Sequence, residues 1–280
     1  MAKKNIMIAP IVKWVGGKRQ LLSEIKPLIP KRITTYVEPF LGGGAVLFDM
    51  QPKKAVINDY NSELINVYKI VKDNPVKLLE LLEKHKENNN EDYYYNVRAL
   101  DRDSRYKMMT DEEKAARIIY LNKTCFNGLF RVNQAGQFNS PYGRYKNPNI
   151  VNKPAILAMS SYFNENEVKI MCGDYKHSLK NLRKGAFVYF DPPYLPISSS
   201  SSFTGYTENG FTLENQIELR DQCDKLNERG IKFLLSNSDH EEIRELYKNY
   251  EIITIKARRS INSKGNKRGE INEVLIKNYK

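Results

Sequence analysis

The sequence has few of the residues that build disulfide frameworks or metal centres. It contains three cysteines and three histidines in 280 residues, all scattered, and no C-x-x-C pair. We therefore expect neither disulfides nor a structural zinc site, and no metal cofactor is predicted. Unpaired cysteines of this kind are typical of a reducing, cytoplasmic environment.

Long apolar runs are also absent. No stretch approaches the roughly 20 apolar residues that a membrane-spanning helix needs, so no membrane association is expected. The N-terminal residues MAKKNIMIAPIVKW are basic and then only briefly apolar, with no small-residue cleavage site. They do not resemble a signal peptide, which also favours a cytoplasmic protein.

Acidic residues are missing from a long interval of an already basic chain. The formal net charge is +12, and no Asp or Glu occurs between Glu113 and Glu165. The basic residues of this interval include Lys114, Arg117, Lys123, Arg131, Arg144, Lys146 and Lys153. Asparagine is abundant there, and cations together with neutral amides suit phosphates and base edges. The pattern predicts a nucleic-acid partner, with a solvated basic face as the alternative.

Short apolar runs that end in polar or glycine-rich turns predict seven strands. They lie at residues 36–37, 55–57, 168–172, 186–190, 231–235, 251–256 and 271–277. Helical apolar spacing is found at residues 18–29, 62–71, 76–86 and 111–121, the last beginning with acidic residues after Thr110.

The strands cluster near the N-terminus and after residue 168, and the interval between is helical and then loop-rich. This order predicts an α/β fold: a Rossmann-like, seven-stranded mixed sheet with a C-terminal β-hairpin and an inserted, mostly helical domain. We place the sheet domain at residues 1–59 and 160–280, and the inserted domain at 60–159.

A glycine-rich turn follows the first predicted strand. Gly42, Gly43 and Gly44 lie in EPFLGGGAVLF, and Asp59 ends the second strand. In doubly wound folds such a turn lets the backbone approach a cofactor, and the acid binds ribose hydroxyls. The nicotinamide fingerprint fits poorly, because Leu47 occupies its third glycine position. A cofactor without pyrophosphate, such as S-adenosylmethionine, fits better.

The segment FVYFDPPYLP, residues 187–196, places an acid, two prolines and a tyrosine at the end of a buried strand. Asp191 and the proline carbonyls can only accept hydrogen bonds, which suits an exocyclic amino group with two hydrogens to donate. The ring of Tyr194 offers a flat face for a heterocycle. We interpret this segment as a clamp for an amino group on an aromatic base.

Taken together, these motifs resemble the Dam family of DNA adenine-N6 methyltransferases. The matching segments, in the family's order, are KWVGGKRQLL (13–22), EPFLGGGAVLF (38–48), INDYN (57–61), GD (173–174), DPPY (191–194), FTGYT (203–207) and LSNSD (235–239). The resemblance implies methyl transfer from S-adenosyl-L-methionine to adenine N6 in double-stranded DNA. It also implies that the inserted domain recognises the target.

The resemblance assigns roles to individual residues. Asp191, Pro192 and Tyr194 would be catalytic, the first two holding the amino group and the third stacking on the extruded base. Phe203 and Tyr206 would complete the pocket. Cofactor contacts are implied for Trp14, Lys18, Gly42, Gly43, Gly44, Asp59, Asp174 and Asp191. Core packing of Trp14 and helix capping by Asp174 are the alternatives.

Residues 122–148 resemble the recognition hairpin of family members that methylate GATC. Phe126 would insert into the base stack, Asn127 would lie beside the orphaned thymine, and Arg131 would contact guanine. Contacts to bases are also implied for Lys13, Leu129, Pro141 and Tyr145, and contacts to phosphates for Lys146, Arg258 and Arg259. A basic loop that binds phosphate without sequence preference is the alternative.

Other activities remain open on the sequence alone. They are cytosine-N4 methylation, adenine methylation at a different site, methylation of RNA or a release factor, a catalytically silent DNA-binding protein, and a nicotinamide oxidoreductase. We expect a monomer or weak dimer in a prokaryotic cell or encoded by a phage. A cognate restriction endonuclease would be a functional partner.

Overall fold

The computed structural model describes residues 4–195, 211–258 and 270–280. These residues contain a seven-stranded sheet with the order β3-β2-β1-β4-β5-β7-β6. The strands are β1 (Thr35–Glu38), β2 (Lys54–Asp59), β3 (Glu167–Cys172), β4 (Ala186–Phe190), β5 (Lys232–Ser238), β6 (Glu251–Arg258) and β7 (Glu270–Lys277). The predicted α/β fold with a C-terminal hairpin is confirmed.

Parallel and antiparallel pairs are both present in the sheet. Strand β1 pairs in parallel with β2 and β4, and β4 pairs in parallel with β5. Strand β7 is antiparallel to β5 and β6. Every residue of β4 is buried, as expected for a central strand covered on both faces. The segment that follows β4 therefore starts from a rigid, buried element.

The first helix precedes β1, and the other helices lie between strands in the sequence. The helices are α1 (Leu22–Ile25), α2 (Ala45–Met50), α3 (Ser62–Asp73), α4 (Pro75–Glu87), α5 (Glu91–Ala99), α6 (Asp111–Thr124), α7 (Lys153–Glu165), α8 (Leu213–Glu228) and α9 (Glu241–Leu246). Within the described ranges, none of them has the length and apolar content to cross a membrane.

The single helix predicted at residues 18–29 is wrong. The segment forms a 3₁₀ turn at Lys18–Leu21, the short helix α1, and a second 3₁₀ turn at Lys26–Leu28. Pro27 explains the interruption, because its ring has no N–H to donate and clashes with the preceding helical turn. The apolar spacing is still used, since Leu21 and Ile25 are buried.

The predicted start of α6 is confirmed. The side chain of Thr110 accepts a hydrogen bond from the backbone N–H of Glu113, and the Glu113 carboxylate accepts one from the backbone N–H of Thr110. This reciprocal pair is a capping box, which satisfies two N–H groups that a helix start leaves without partners. The helix continues beyond the predicted end at residue 121 to Thr124.

The chain divides into two compact units. The first unit comprises Met1–Gly17, Leu41–Lys53 and Asn58–Gly173, and the second comprises Lys18–Phe40, Lys54–Ile57 and Asp174–Lys280. The second unit has a core around β4, β5 and β7, with contributions from α8. The predicted domain boundaries, near residues 59 and 160, lie close to the end of β2 and the start of β3 and differ from the limits of these two units. They stay a prediction.

The glycine-rich turn before α2 has a backbone that only glycine adopts without strain. Gly42 has φ of 49° and Gly44 has φ of 68°. A Cβ atom on Gly44 would also lie 2.6 Å from Cε2 of Phe48, whose side chain is buried in α2. The turn therefore depends on glycine at this position for both its dihedral angle and its packing.

We expect Gly44→Ala to destabilise the protein by about 1–3 kcal/mol more than Gly136→Ala. Both glycines have left-handed φ, but a Cβ on Gly136 would meet nothing within 4 Å. The control thus isolates the backbone strain from the clash with Phe48. Urea unfolding measures both free energies, and equal losses would show that the turn tolerates the added methyl group.

Candidate active site

Asp59 fixes the glycine-rich turn within the first unit. Its Oδ2 accepts a hydrogen bond from the backbone N–H of Gly42 at 2.8 Å, and its Oδ1 accepts one from Asn61 at 2.9 Å. Burial raises the pKa of Asp59, and these backbone hydrogen bonds oppose the rise. Each carboxylate oxygen has a second lone pair, so Asp59 retains the capacity to accept hydrogen bonds from hydroxyl groups.

Trp14 packs against the same turn. Its ring stacks on Phe130 with centroids 4.7 Å apart, and its Cδ1 would lie 3.0 Å from a Cβ on Gly42. The hydroxyl of Tyr68 donates a hydrogen bond to the carbonyl of Gly42 at 2.8 Å. The structure therefore brings Trp14, the glycines and Asp59 together, and it gives Trp14 a packing role as well.

Asp191 follows β4 directly and forms an ion pair in the second unit. Its Oδ1 lies 2.8 Å from Nζ of Lys18, whose side chain is only 5% exposed. Burial raises the pKa of Asp191 to about 6, and the positive charge of Lys18 opposes this rise. The resemblance gave Lys18 a cofactor role, whereas the structure shows that it also holds the acid of the clamp.

The backbone after Asp191 is held by amides and a hydroxyl. Nε2 of Gln216 donates to the carbonyl of Pro193 at 3.0 Å, and Nδ2 of Asn237 donates to Oε1 of Gln216 at 2.9 Å. The hydroxyl of Ser238 donates to the carbonyl of Leu195 at 3.2 Å. The Pro193 carbonyl therefore has a hydrogen-bond partner within the protein, and the role of the Pro192 carbonyl as an acceptor stays a proposal.

The ring of Tyr194 is fixed at its hydroxyl end and covered on one face. The hydroxyl donates a hydrogen bond to Oε2 of Glu273 on β7 at 2.7 Å. Nζ of Lys18 lies 4.8 Å from the ring centroid. Sequence reasoning missed Glu273, because it lies in a strand far from the DPPY segment and carries no motif.

Asp174 caps a short helical turn, as the alternative reading expected. It precedes the 3₁₀ turn at Tyr175–Leu179, and its Oδ1 accepts a hydrogen bond from the backbone N–H of Lys176 at 2.8 Å. Nζ of Lys176 lies 3.2 Å from Asp174 Oδ2 and 2.7 Å from Glu218 Oε1. The capping role is a finding, and the contact with a cofactor stays a proposal.

The segment 122–148 lies in the first unit and is held by backbone and side-chain hydrogen bonds. Isolated bridges join Cys125 to Tyr142 and Val132 to Phe138. The guanidinium of Arg131 donates through Nε to Oδ1 of Asn139 at 2.6 Å and through a terminal nitrogen to the Asn139 carbonyl at 3.0 Å. Asn139 therefore orients the arginine that the resemblance assigns to guanine.

Arg117, one of the basic residues in the acid-free interval, is structural. It is fully buried and lies 2.8 Å from Oδ2 of Asp101, and its Nε donates to the Val97 carbonyl at 2.9 Å. Asp101 also accepts a hydrogen bond from the backbone N–H of Phe138 at 2.7 Å. This pair thus anchors the segment 122–148 to α5 and α6.

Lys13 is joined to the same segment through Asn122. The Asn122 amide accepts a hydrogen bond from the Lys13 N–H and donates one to the Lys13 carbonyl, both at 2.8 Å. Side chains with exposed surface are those of Lys13, Phe126, Asn127, Pro141, Tyr145 and Lys146, whereas Leu129 and Arg131 are half-buried. The structure therefore brings all of these predicted DNA contacts into the first unit.

The remaining predicted residues cannot all be placed. Phe203, Tyr206 and Arg259 lie outside the described residues, and Arg258 is the last residue of β6. Over residues 4–195, 211–258 and 270–280, no three His, Cys, Asp or Glu side chains form a group that could hold a metal ion.

Comparison with known proteins shows which family the chain is similar to. Residues 14–261 match the family model for D12 class N6 adenine-specific DNA methyltransferases. The type II methyltransferase M1.LlaDCHI of Lactococcus lactis subsp. cremoris is 49% identical over 279 residues, covering 100% of this chain and 98% of that protein.

Two further relatives extend the similarity to other organisms. The type II methyltransferase M.MjaIII of Methanocaldococcus jannaschii is 43% identical, covering 97% of this chain and 99% of its own. The DNA adenine methylase of Escherichia coli K12 is 36% identical, covering 98% and 95%. With most of its length matched, the chain belongs to the D12 class N6 adenine-specific DNA methyltransferase family.

Proposed function

We propose that this enzyme transfers a methyl group from S-adenosyl-L-methionine to N6 of adenine in the sequence GATC of duplex DNA. The observation that carries the proposal is the arrangement around Asp191, where a half-buried carboxylate, a proline carbonyl and the fixed ring of Tyr194 lie within four residues. Resemblance of residues 122–148 to GATC-specific recognition hairpins supports the target.

The residues of the first unit fit a cofactor without pyrophosphate. The glycines of the turn leave room for close approach, and Asp59 can accept hydrogen bonds from ribose hydroxyls while it holds Gly42. We assign Trp14, Lys18 and Asp174 to further cofactor contacts. When bound, S-adenosyl-L-methionine supplies a methyl group on a positively charged sulfur; no metal is required.

The clamp residues orient the nucleophile. The Asp191 carboxylate and the Pro192 carbonyl each accept one hydrogen of the N6 amino group, which directs the nitrogen lone pair away from both acceptors. The raised pKa makes Asp191 a stronger base than an ordinary aspartate, suited to accept the proton that N6 loses after transfer. Catalysis then comes from orientation and proton transfer, with no covalent enzyme intermediate.

The adenine must leave the double helix to reach these residues, because its amino group is paired inside the duplex. We assign insertion into the base stack to Phe126, whose side chain is 56% exposed. Arg131 contacts guanine, and Asn127 lies beside the orphaned thymine. Further base contacts are assigned to Lys13, Leu129, Pro141 and Tyr145, pocket closure to Phe203 and Tyr206, and phosphate contacts to Lys146, Arg258 and Arg259.

A restriction endonuclease of the same target is the functional partner we propose. The support is that two relatives covering nearly the whole chain are named type II methyltransferases. We propose that the enzyme itself acts as a monomer or weak dimer.

Incubation of the protein with S-adenosyl-L-methionine and unmethylated genomic DNA is expected to methylate adenine at GATC sites. Sequencing of modified bases reads both the chemistry and the target. Asp191→Asn should lower the rate of methyl transfer by ~100-fold or more, because the carboxylate charge and the base that accepts the N6 proton are lost. The exposed control Asp221→Asn should leave the rate unchanged. Methylation of cytosine, or an active Asp191→Asn enzyme, would contradict the proposal.

The rate of methyl transfer is expected to fall as the pH falls through about 6. Burial raises the pKa of Asp191 to about 6, so the carboxylate that accepts the N6 hydrogen is present above that pH and protonated below it. Single-turnover rates between about pH 5 and pH 8, with DNA saturating, measure this fall in rate, the acid limb of the rate profile. A rate that is constant down to about pH 4, where an ordinary aspartate titrates, would contradict the assignment.

Arg131→Ala is expected to reduce discrimination at one guanine by about 1–3 kcal/mol, because a bidentate guanidinium contact is lost. Methylation rates on duplexes with single substitutions in GATC measure this loss. Lys146→Ala is the matched control, since loss of a phosphate contact should weaken all sites alike and reduce the salt dependence. An Arg131→Ala enzyme that rejects every substituted site as strongly as wild type would assign the guanine contact elsewhere.

A further inference from the structure

Two facing residues of β5 and β7 hold the last residue of the DPPY segment and the residue after it. Ser238 and Glu273 are partners in the antiparallel register of these strands. The Ser238 hydroxyl donates to the carbonyl of Leu195, and the Glu273 carboxylate accepts from the hydroxyl of Tyr194. Ser238 belongs to the segment LSNSD, whereas Glu273 belongs to none of the motifs that carry the family resemblance.

The hydrogen bond from Tyr194 to Glu273 fixes the position of an aromatic ring. Burial and the nearby carboxylates keep the pKa of Tyr194 well above its ordinary value, so its hydroxyl remains a donor at any working pH. The hydroxyl oxygen lies on the axis of χ2, so the hydrogen bond restricts χ1 and holds the far end of the ring in place. The position of the ring is therefore set by a residue on another strand.

Lys18 restricts the same ring from one face. Its Nζ lies 4.8 Å from the centroid of Tyr194 and 2.8 Å from Oδ1 of Asp191. An aromatic ring has two faces, so a base that stacks on Tyr194 must use the face opposite Lys18. Glu273, Lys18 and Asp191 thus form a network of alternating charge around the ring.

We infer that Glu273 is a positioning residue for methyl transfer, which through the Tyr194 hydroxyl sets the position of the ring on which the target base stacks. The inference rests on the proposed function, because it requires Tyr194 to be the stacking surface. Glu273 acts through Tyr194 and contacts neither the base nor the methyl group.

The charge of Glu273 has a second, measurable effect on the site. The groups that face Asp191 are Lys18, Glu273, Tyr194 and Tyr189. Among them the negative charge of Glu273 raises the pKa of Asp191, and the positive charge of Lys18 lowers it. Removing the charge of Glu273 while keeping a hydrogen-bond acceptor should therefore lower the pKa of Asp191 without releasing the ring.

A double-mutant cycle tests the inference. Glu273→Ala should slow single-turnover methyl transfer by about tenfold, since it removes a hydrogen bond to a charged group. Tyr194→Phe removes that hydrogen bond and also the contact of the hydroxyl with Asp191. The double variant should be no slower than Tyr194→Phe alone, because Glu273 acts through that hydroxyl. Rates that multiply in the double variant would overturn the inference.

Glu273→Gln provides the second readout and does not depend on the stability of the alanine variant. It should keep most of the rate at pH 7.5 and move the acid limb of the rate profile to lower pH. Glu251→Gln, the same change on the exposed side of β6, should alter neither. A Glu273→Gln enzyme as slow at pH 7.5 as Tyr194→Phe would overturn the inference even if the alanine variant proved too unstable to assay, because glutamine keeps the hydrogen-bond acceptor.

The wild-type reaction in the same assay distinguishes a failure of the inference on Glu273 from a failure of the proposed function. If wild type methylates adenine and the Glu273 variants behave as Glu251→Gln does, the inference on Glu273 alone is overturned. If wild type methylates no adenine, the proposed function fails and the inference fails with it.

Discussion

The ion pair between Lys18 and Asp191 is the interaction on which the candidate site depends. A buried ammonium group without a partner would cost several kcal/mol, so the segment that starts at Lys18 and the end of β4 are held to one geometry. The same pair influences whether the carboxyl group of Asp191 is ionised. Burial alone would favour the protonated acid, and the positive charge of Lys18 retains a carboxylate near neutral pH.

A comparable pair organises the recognition segment, where regular secondary structure is sparse. Arg117 and Asp101 satisfy one another inside the first unit, and Asp101 then holds the backbone of Phe138. Asn139, the next residue, orients Arg131. A chain of polar contacts therefore runs from a helix interior to the guanidinium proposed to contact guanine. It adds to backbone hydrogen bonds across the segment, such as the one from the Asn139 N–H to the Arg131 carbonyl.

Local patterns predicted much of this protein. The apolar run of β4, the start of α6 and the glycine turn were predicted because each is specified by residues that are neighbours in the sequence. Pro27 shows the limit of apolar spacing, which predicted one helix at residues 18–29. The structure has the short helix α1 between two 3₁₀ turns there. Arg117 resembled a DNA contact in its basic interval and is buried. The role of Glu273 depends on strand register, which no local pattern encodes.

Asn122 uses both atoms of its amide to hold the backbone of Lys13, in the manner of a neighbouring strand. The aliphatic part of Lys13 in turn lies where a Cβ on Gly128 would be, 2.5 Å from its Cδ. The residues around Lys13 and residues 122–148 therefore form one structural block. Chimaeras that exchange residues 122–148 between relatives must carry the residues around Lys13 with them, or the transplanted segment loses its support.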